Sequence, residues 1–69
     1  MLYVVEIRLT AEKFREFMGR LRTWLDDAPF RPRTLRYSLS DPDTVLRIDF
    51  DAEAEAHAFA QVFGGVVLV

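Results

Sequence analysis

Apolar residues recur at every second position in residues 2–9, which is the period of a β-strand with one face in a core. After Thr10 the apolar spacing changes to three and four, with Glu12 in the first turn and Pro29 at the end of the pattern. Threonine is a good N-cap residue, and proline stops a helix. The pattern therefore predicts a first strand followed by a helix over residues 11–28.

The period of two returns after a proline-containing link. Residues 34–40 and 45–50 both alternate, and the intervening Asp41-Pro42-Asp43-Thr44 has the residues of a type I turn. These segments predict a β-hairpin with a four-residue loop, which places Leu39 opposite Leu46. The core side of the second strand is predicted to carry Leu35, Tyr37 and Leu39.

The segment DAEAEAHAFAQVFGG alternates alanine with other residues as a strand would, yet alanine is depleted in strands and favoured in helices. At 100° per residue, its apolar side chains gather on one face and His57 falls on the other. We therefore predict a second helix with Asp51 as its N-cap and Gly64-Gly65 as its C-terminal cap. Residues 66–69 then form a short fourth strand.

The resulting order βαββαβ has one common compact arrangement, because each βαβ crossover is right-handed and the hairpin pairs its two strands. The predicted fold is α+β: a ferredoxin-like sandwich with an antiparallel sheet in the order 4-1-3-2 and both helices on one face. Residues 1–69 form a single domain in this prediction. Its predicted core contains Phe17, Leu21, Ile48 and Phe59.

Composition narrows the classes of function. The chain has 69 residues, no cysteine and a net charge of −2. Without cysteine there is no disulfide framework, thiolate metal site or thiol nucleophile, so the cytoplasm is the expected compartment. The charge has the wrong sign for a protein that neutralises phosphates, so nucleic acid is not an expected partner. The apolar start carries Glu6 and Arg8 without a basic leader, so we expect neither a signal peptide nor a membrane anchor.

Few side chains are candidates for a ligand site. His57, the single histidine, lies one helical turn from Glu53, and a solvated pair of these two is the simplest interpretation. The alternatives are a metal ligand or a proton carrier in a site built against a partner chain. Arg31 and Arg33 are expected at the same end of the sheet as the acidic start of the second helix, where they form a salt bridge or an anion site. Tyr37 is a further candidate, and we predict no metal or other cofactor.

The sheet face away from the helices carries no aromatic residue in this prediction, so it lacks the stacking platform of RNA-recognition domains. Glu6 with Arg47, and Arg36 with Asp49, are expected to neutralise each other there.

The end of the chain, Val66-Val67-Leu68-Val69, is apolar on both faces, whereas an exposed edge strand should alternate and carry a charge or a proline. A domain this small buries only about 60% of the surface of its unfolded chain, so association would stabilise it. We therefore predict a homodimer. Its interface candidates are Leu2, Val4, Val45, Val66, Val67, Leu68 and Val69.

The segment SDPDTVLRIDFDAEAEAHAF resembles the hairpin, strand and second helix of the dimeric α+β barrel superfamily, which includes the antibiotic-biosynthesis-type monooxygenases. The resemblance implies a ferredoxin-like protomer whose sheet packs on that of a second copy. It also implies, for some members, cofactor-free oxygenation of phenolic substrates or haem degradation. Haem-degrading members use an asparagine, a tryptophan and a histidine. This chain has no asparagine, its tryptophan lies in the first helix, and only His57 carries over.

Two functions stay open. The first is a non-enzymatic homodimeric interaction or regulatory module. The second is a monooxygenase-like enzyme or small-ligand binder of the dimeric barrel type, whose small-molecule ligand the sequence does not identify. An enclosed apolar cavity with His57 or Tyr37 at its wall favours the second function, and a filled core with an outward His57 favours the first.

Overall fold

A computed structural model describes residues 2–40 and 42–68. They form an antiparallel four-stranded sheet in the order β2-β3-β1-β4 and two helices. The elements are β1 (Tyr3–Leu9), α1 (Ala11–Asp27), β2 (Thr34–Ser40), β3 (Asp43–Phe50), α2 (Glu53–Phe63) and β4 (Val66–Leu68). The architecture is the predicted α+β one, its strand order is the predicted order seen from the other edge, and it is consistent with a ferredoxin-like sandwich.

Helix α1 begins where the sequence predicts. The backbone N–H of Lys13 donates to Thr10 Oγ1 over 3.3 Å, so Thr10 is the N-cap. The helix ends at Asp27, one residue before the predicted end, because Ala28 is extended ahead of Pro29. Proline disfavours helical backbone in the residue before it. Among the described residues, neither helix, at 17 and 11 residues, is long and apolar enough to cross a membrane.

Helix α2 corrects one prediction and confirms another. Its N-cap is Ala52, with no side-chain capping bond, so the prediction of Asp51 as N-cap is wrong. The carboxylate of Asp51 instead accepts a hydrogen bond from Arg33 Nη1 over 2.9 Å. At the other end Gly64 has φ +80°, and its N–H donates to the carbonyl of Ala60 over 2.6 Å. The predicted glycine cap is therefore confirmed at Gly64, in a conformation that glycine adopts at little cost.

The β2–β3 hairpin is tighter than predicted. Ser40 pairs with Asp43, so the strands continue further towards the turn and Leu39 lies opposite Thr44 rather than Leu46. Asp41 lies outside the described residues, and the type I turn remains a prediction. The register error is two residues, and a two-residue slip returns every side chain to the same face of the sheet. The predicted assignment of side chains to the two faces of the sheet is therefore confirmed, while the predicted pairs of residues across the strands are wrong.

The core lies between the helices and the sheet. Its buried members are Val5, Ile7, Phe17, Leu21, Leu46, Ile48, Phe50, Ala56 and Phe59. The four predicted core residues are all among them. The Phe59 ring is at the centre, with centroids 4.5 Å from Phe63 and 5.2 Å from both Trp24 and Phe50. The guanidinium of Arg20 lies over the Phe63 ring at 5.2 Å from its centroid.

The outer strand β2 is only partly covered on its helix side. Helix α1 packs on β1 and β3, so the sheet extends beyond it. Leu39 is 81% exposed and Tyr37 is 63% exposed, although both were predicted to face the core. They do lie on the core side of the strand, where the one aromatic contact with a helix in the described part of the chain is that of Phe14 with Tyr37, whose ring centroids are 5.8 Å apart.

Candidate functional site

The sheet face away from the helices is called the open face, and the strand register arranges its side chains in rows running from β2 to β4. The first row is Thr34, Asp49, Val4 and Leu68; the second is Arg36, Arg47, Glu6 and Val66; the third is Ser38, Val45 and Arg8. The rows divide the face into two parts. The apolar half consists of Val4, Val66 and Leu68, to which the alternation along the chain adds Leu2. The charged half consists of Glu6, Arg8, Thr34, Arg36, Ser38, Val45, Arg47 and Asp49.

Both ion pairs predicted for the charged half are present. Arg47 Nε donates to Glu6 Oε2 over 3.0 Å, and Arg36 Nη2 donates to Asp49 Oδ1 over 2.9 Å. Asp49 is only 4% exposed, and the hydroxyl of Thr34 donates to its other carboxylate oxygen. A buried carboxylate needs such partners because desolvation of an unpaired charge is costly. Arg36 is thus paired diagonally with Asp49, while its direct neighbour across the strands is Arg47, contrary to the predicted register.

The apolar half is open to solvent. Val66 is 63% exposed, Leu2 is 42% exposed and Leu68 is 39% exposed, and half-buried Val4 lies between them. Isolated apolar side chains on a surface are ordinary, but several on one face form a candidate contact surface.

The other predicted interface residues have different surroundings. Val67 lies on the opposite side of β4 and packs against the core. Val45 is on the open face but only 6% exposed, so it has little surface to offer a partner. Val69 lies outside the described residues.

A cleft crosses the charged half beside β2. Its volume is about 210 Å³, and its lining residues are Arg36, Tyr37, Ser38, Val45 and Arg47. Of the predicted ligand-site residues Arg31, Arg33, Tyr37 and His57, Tyr37 is the one that borders this cleft, although its side chain lies on the core side of β2 and contacts Phe14. The cleft could not be predicted from the sequence with the wrong register, because that register separated the two arginines. The alternation that puts both on one face was the available signal.

The two other predicted arginines do not form a site together. Arg33 pairs with Asp51, and both side chains are more than half exposed, so solvent screening limits this bond to about 0–1 kcal/mol. This is the simpler of the two alternatives stated for Arg33. Arg31 is exposed and forms no ion pair with the residues that the structure describes.

His57 lies on the solvent side of α2, as does Glu53. Across residues 2–40 and 42–68, no group of three or more His, Cys, Asp or Glu side chains is placed to share a metal ion.

Because His57 is exposed and opposite the core face, we expect His57→Ala to change the free energy of unfolding by no more than about 0.5 kcal/mol. Urea denaturation followed by circular dichroism measures this. A loss of several kcal/mol would assign His57 a structural role that its exposure does not suggest.

Comparison with known proteins gives no relative: no family model matches the chain, and no curated protein or solved structure matches it significantly. The resemblance to dimeric α+β barrels therefore rests on the residues of the hairpin, β3 and α2 alone.

Proposed function

We propose that the protein is a ferredoxin-like module that forms a homodimer through the apolar half of its open face and the β4 edge, and that acts as an interaction or regulatory domain without catalytic activity. The observation that carries this proposal is the exposure of Val66 and Leu68 in successive rows of the open face, which no helix of the described residues covers, together with that of Leu2, two residues before Val4. Burying them removes apolar surface from water, which is the main favourable term in association.

A second copy is a suitable partner because of where the apolar half lies. It occupies the β1 and β4 side of the sheet, so a two-fold axis close to β4 packs these side chains against their own copies. Two-fold interfaces are built from one self-complementary patch in this way. The charged half then lies towards the rim, where its ion pairs remain solvated, as is usual for polar residues around an apolar interface centre.

The edge of β4 supports the same arrangement. This strand has only three residues, Val66–Leu68, with neither a charge nor a proline to prevent pairing with another strand. In the dimer the partner covers this edge, and the helices remain outside.

The positions of His57 and Tyr37 favour a module over an enzyme. His57 is exposed on α2, whose contacts are with β1, β3 and β4, whereas Tyr37 is on the far strand β2. The two side chains on which the enzyme alternative depends therefore do not face one shared cavity, and a general acid or base needs its substrate enclosed within hydrogen-bond reach.

Val66→Lys is the test of the dimer. Val66 lies opposite Glu6, so the lysine gains an opposite charge in the monomer but is buried against its own copy in the dimer. Loss of two buried valines at about 1.5 to 3 kcal/mol each weakens the dimer by roughly 100-fold or more. Sedimentation equilibrium at micromolar concentrations should show a dimer for the wild type and a monomer for Val66→Lys.

Val62→Lys is the matched control, because Val62 is also half exposed but lies on α2, on the other side of the sheet. This variant should remain a dimer. A wild-type mass that stays monomeric on concentration, with a melting temperature independent of dilution, would refute the proposal. Equal weakening by both lysines would place the interface elsewhere.

A further inference from the structure

We propose that the cleft between Arg36 and Arg47 binds the carboxylate group of a small anionic ligand. The cleft lies on the charged half of the open face, away from the proposed dimer contact. Its volume of about 210 Å³ is below the 300–1,000 Å³ of typical small-molecule pockets, so it admits a carboxylate and a short substituent rather than a cofactor.

The donors of this site are held in place from outside it. Asp49 binds Arg36 through Nη2, and Glu6 binds Arg47 through Nε. Asp49 is itself fixed by burial and by Thr34, so the Arg36 guanidinium has a rigid support. A guanidinium has five N–H donors, and each of these hydrogen bonds uses one. Most N–H groups of both arginines therefore have no hydrogen-bond partner among the described residues.

The register places two positively charged side chains next to each other, and a bound anion would reduce the repulsion between them. Arg36 and Arg47 are directly opposite each other on neighbouring strands, an arrangement that is unfavourable without a counter-charge. Arg8 lies opposite Val45 on the other side of β3. The three rows thus hold three arginines against two carboxylates; the next acid on this face, Asp43, is one row nearer the hairpin.

The chemistry of the lining favours a carboxylate. Two guanidinium groups can each donate to one of its two oxygens, and the planar fork of arginine matches this group. The hydroxyl of exposed Ser38 supplies a further donor, and the methyl groups of Val45 form an apolar floor for a short aliphatic substituent. A single negative charge also matches the excess of one positive charge in these rows, in which Arg36 and Arg47 have carboxylate partners and Arg8 forms no ion pair with a described residue.

Titration with sodium propionate, followed by NMR of backbone amide and arginine Nε signals, tests the site. Sodium chloride at equal ionic strength is the reference, and sodium phosphate is the competing probe. We expect saturable shifts at Arg36, Ser38 and Arg47 with a dissociation constant of about 1–50 mM, a range typical of so few ligand atoms.

The three substituted residues, Arg47, Ser38 and Arg15, are exposed, so the variants should fold like the wild type. Arg47 is about half exposed, so Arg47→Gln removes donors without opening the core, and it should weaken propionate binding at least about tenfold. Ser38→Ala should weaken it severalfold, and Arg15→Gln on the exposed side of α1 should leave it unchanged.

Several outcomes would overturn the proposal. They are shifts that chloride reproduces, binding that Arg47→Gln leaves intact, or a phosphate affinity greater than that for propionate. Repeating the titration on the Val66→Lys variant separates this test from that of the dimer. Propionate binding to the monomeric variant supports the proposed site, whether or not the dimer interface is correct. A wild type that is dimeric but does not bind propionate refutes the carboxylate site and leaves the dimer proposal intact.

Discussion

Phe59→Ala should lower the free energy of unfolding by about 3 to 5 kcal/mol. In a domain of this size, such a loss is enough to leave most molecules unfolded at about 25 °C. Phe59 is fully buried, and three aromatic rings surround it within 5.2 Å between centroids. Their aromatic contacts are lost together with the burial of the ring, and the helices and sheet close only partly on the cavity. Urea denaturation, followed by circular dichroism and by Trp24 fluorescence, measures the loss.

His57→Ala serves as the control, since it removes an exposed side chain from the same helix two residues away. Its unfolding curve should overlay that of the wild type. If Phe59→Ala also overlaid it, the assigned core face of α2 would be wrong, and with it the sandwich of helices on the sheet.

The second large effect is expected at Gly65, whose replacement by alanine should destabilise the protein by about 1 to 3 kcal/mol. A Cβ atom at Gly65 would stand 2.5 Å from Val5 Cγ1 and 2.7 Å from Ile7 Cγ1. Both neighbours are buried in the core, so neither can move aside without disturbing the packing. Because Gly65 immediately precedes β4, the same clash should push this strand away from β1. Faster hydrogen exchange of the Val67 backbone amide would detect this separation.

Gly19→Ala is the matched substitution, with the opposite sign. Gly19 is exposed in the middle of α1, and a Cβ atom there has no neighbour within 4 Å. Alanine should therefore stabilise the helix by roughly 0.5 to 1 kcal/mol through its better helix propensity. Thermal unfolding of both variants gives the comparison, and equal melting temperatures would contradict the close approach of Gly65 to β1.

The two proposals assign separate roles to the two halves of the open face. In these proposals the apolar half holds a second copy, and the charged half presents a carboxylate site away from the dimer contact. Such a site would give a small module a way to respond to an anionic ligand, because a ligand that binds one association state more tightly shifts the equilibrium between them.

The amino-acid sequence by itself determined the features that depend on residues near one another along the chain. The period of two placed Val5 and Ile48 on the core face, and the switch to three and four placed Phe17 and Phe59 there. Thr10 began α1, and Gly64 ended α2, because capping involves only the adjacent turn. The strand order followed from the chirality and shortness of the connections, which are also local constraints.

The tertiary structure decided what depends on how distant segments meet. A period of two cannot distinguish a register from one that differs by two residues, so only the paired strands show that Arg36 faces Arg47 and borders a cleft. Asp51 has the residue type and chain position of an N-cap, but its carboxylate binds Arg33, which lies 18 residues away in the chain. Leu39 has the spacing of a core residue but is 81% exposed, because α1 lies over β1 and β3 and covers β2 only in part. The position of a helix above a sheet is set by the packing of many side chains together.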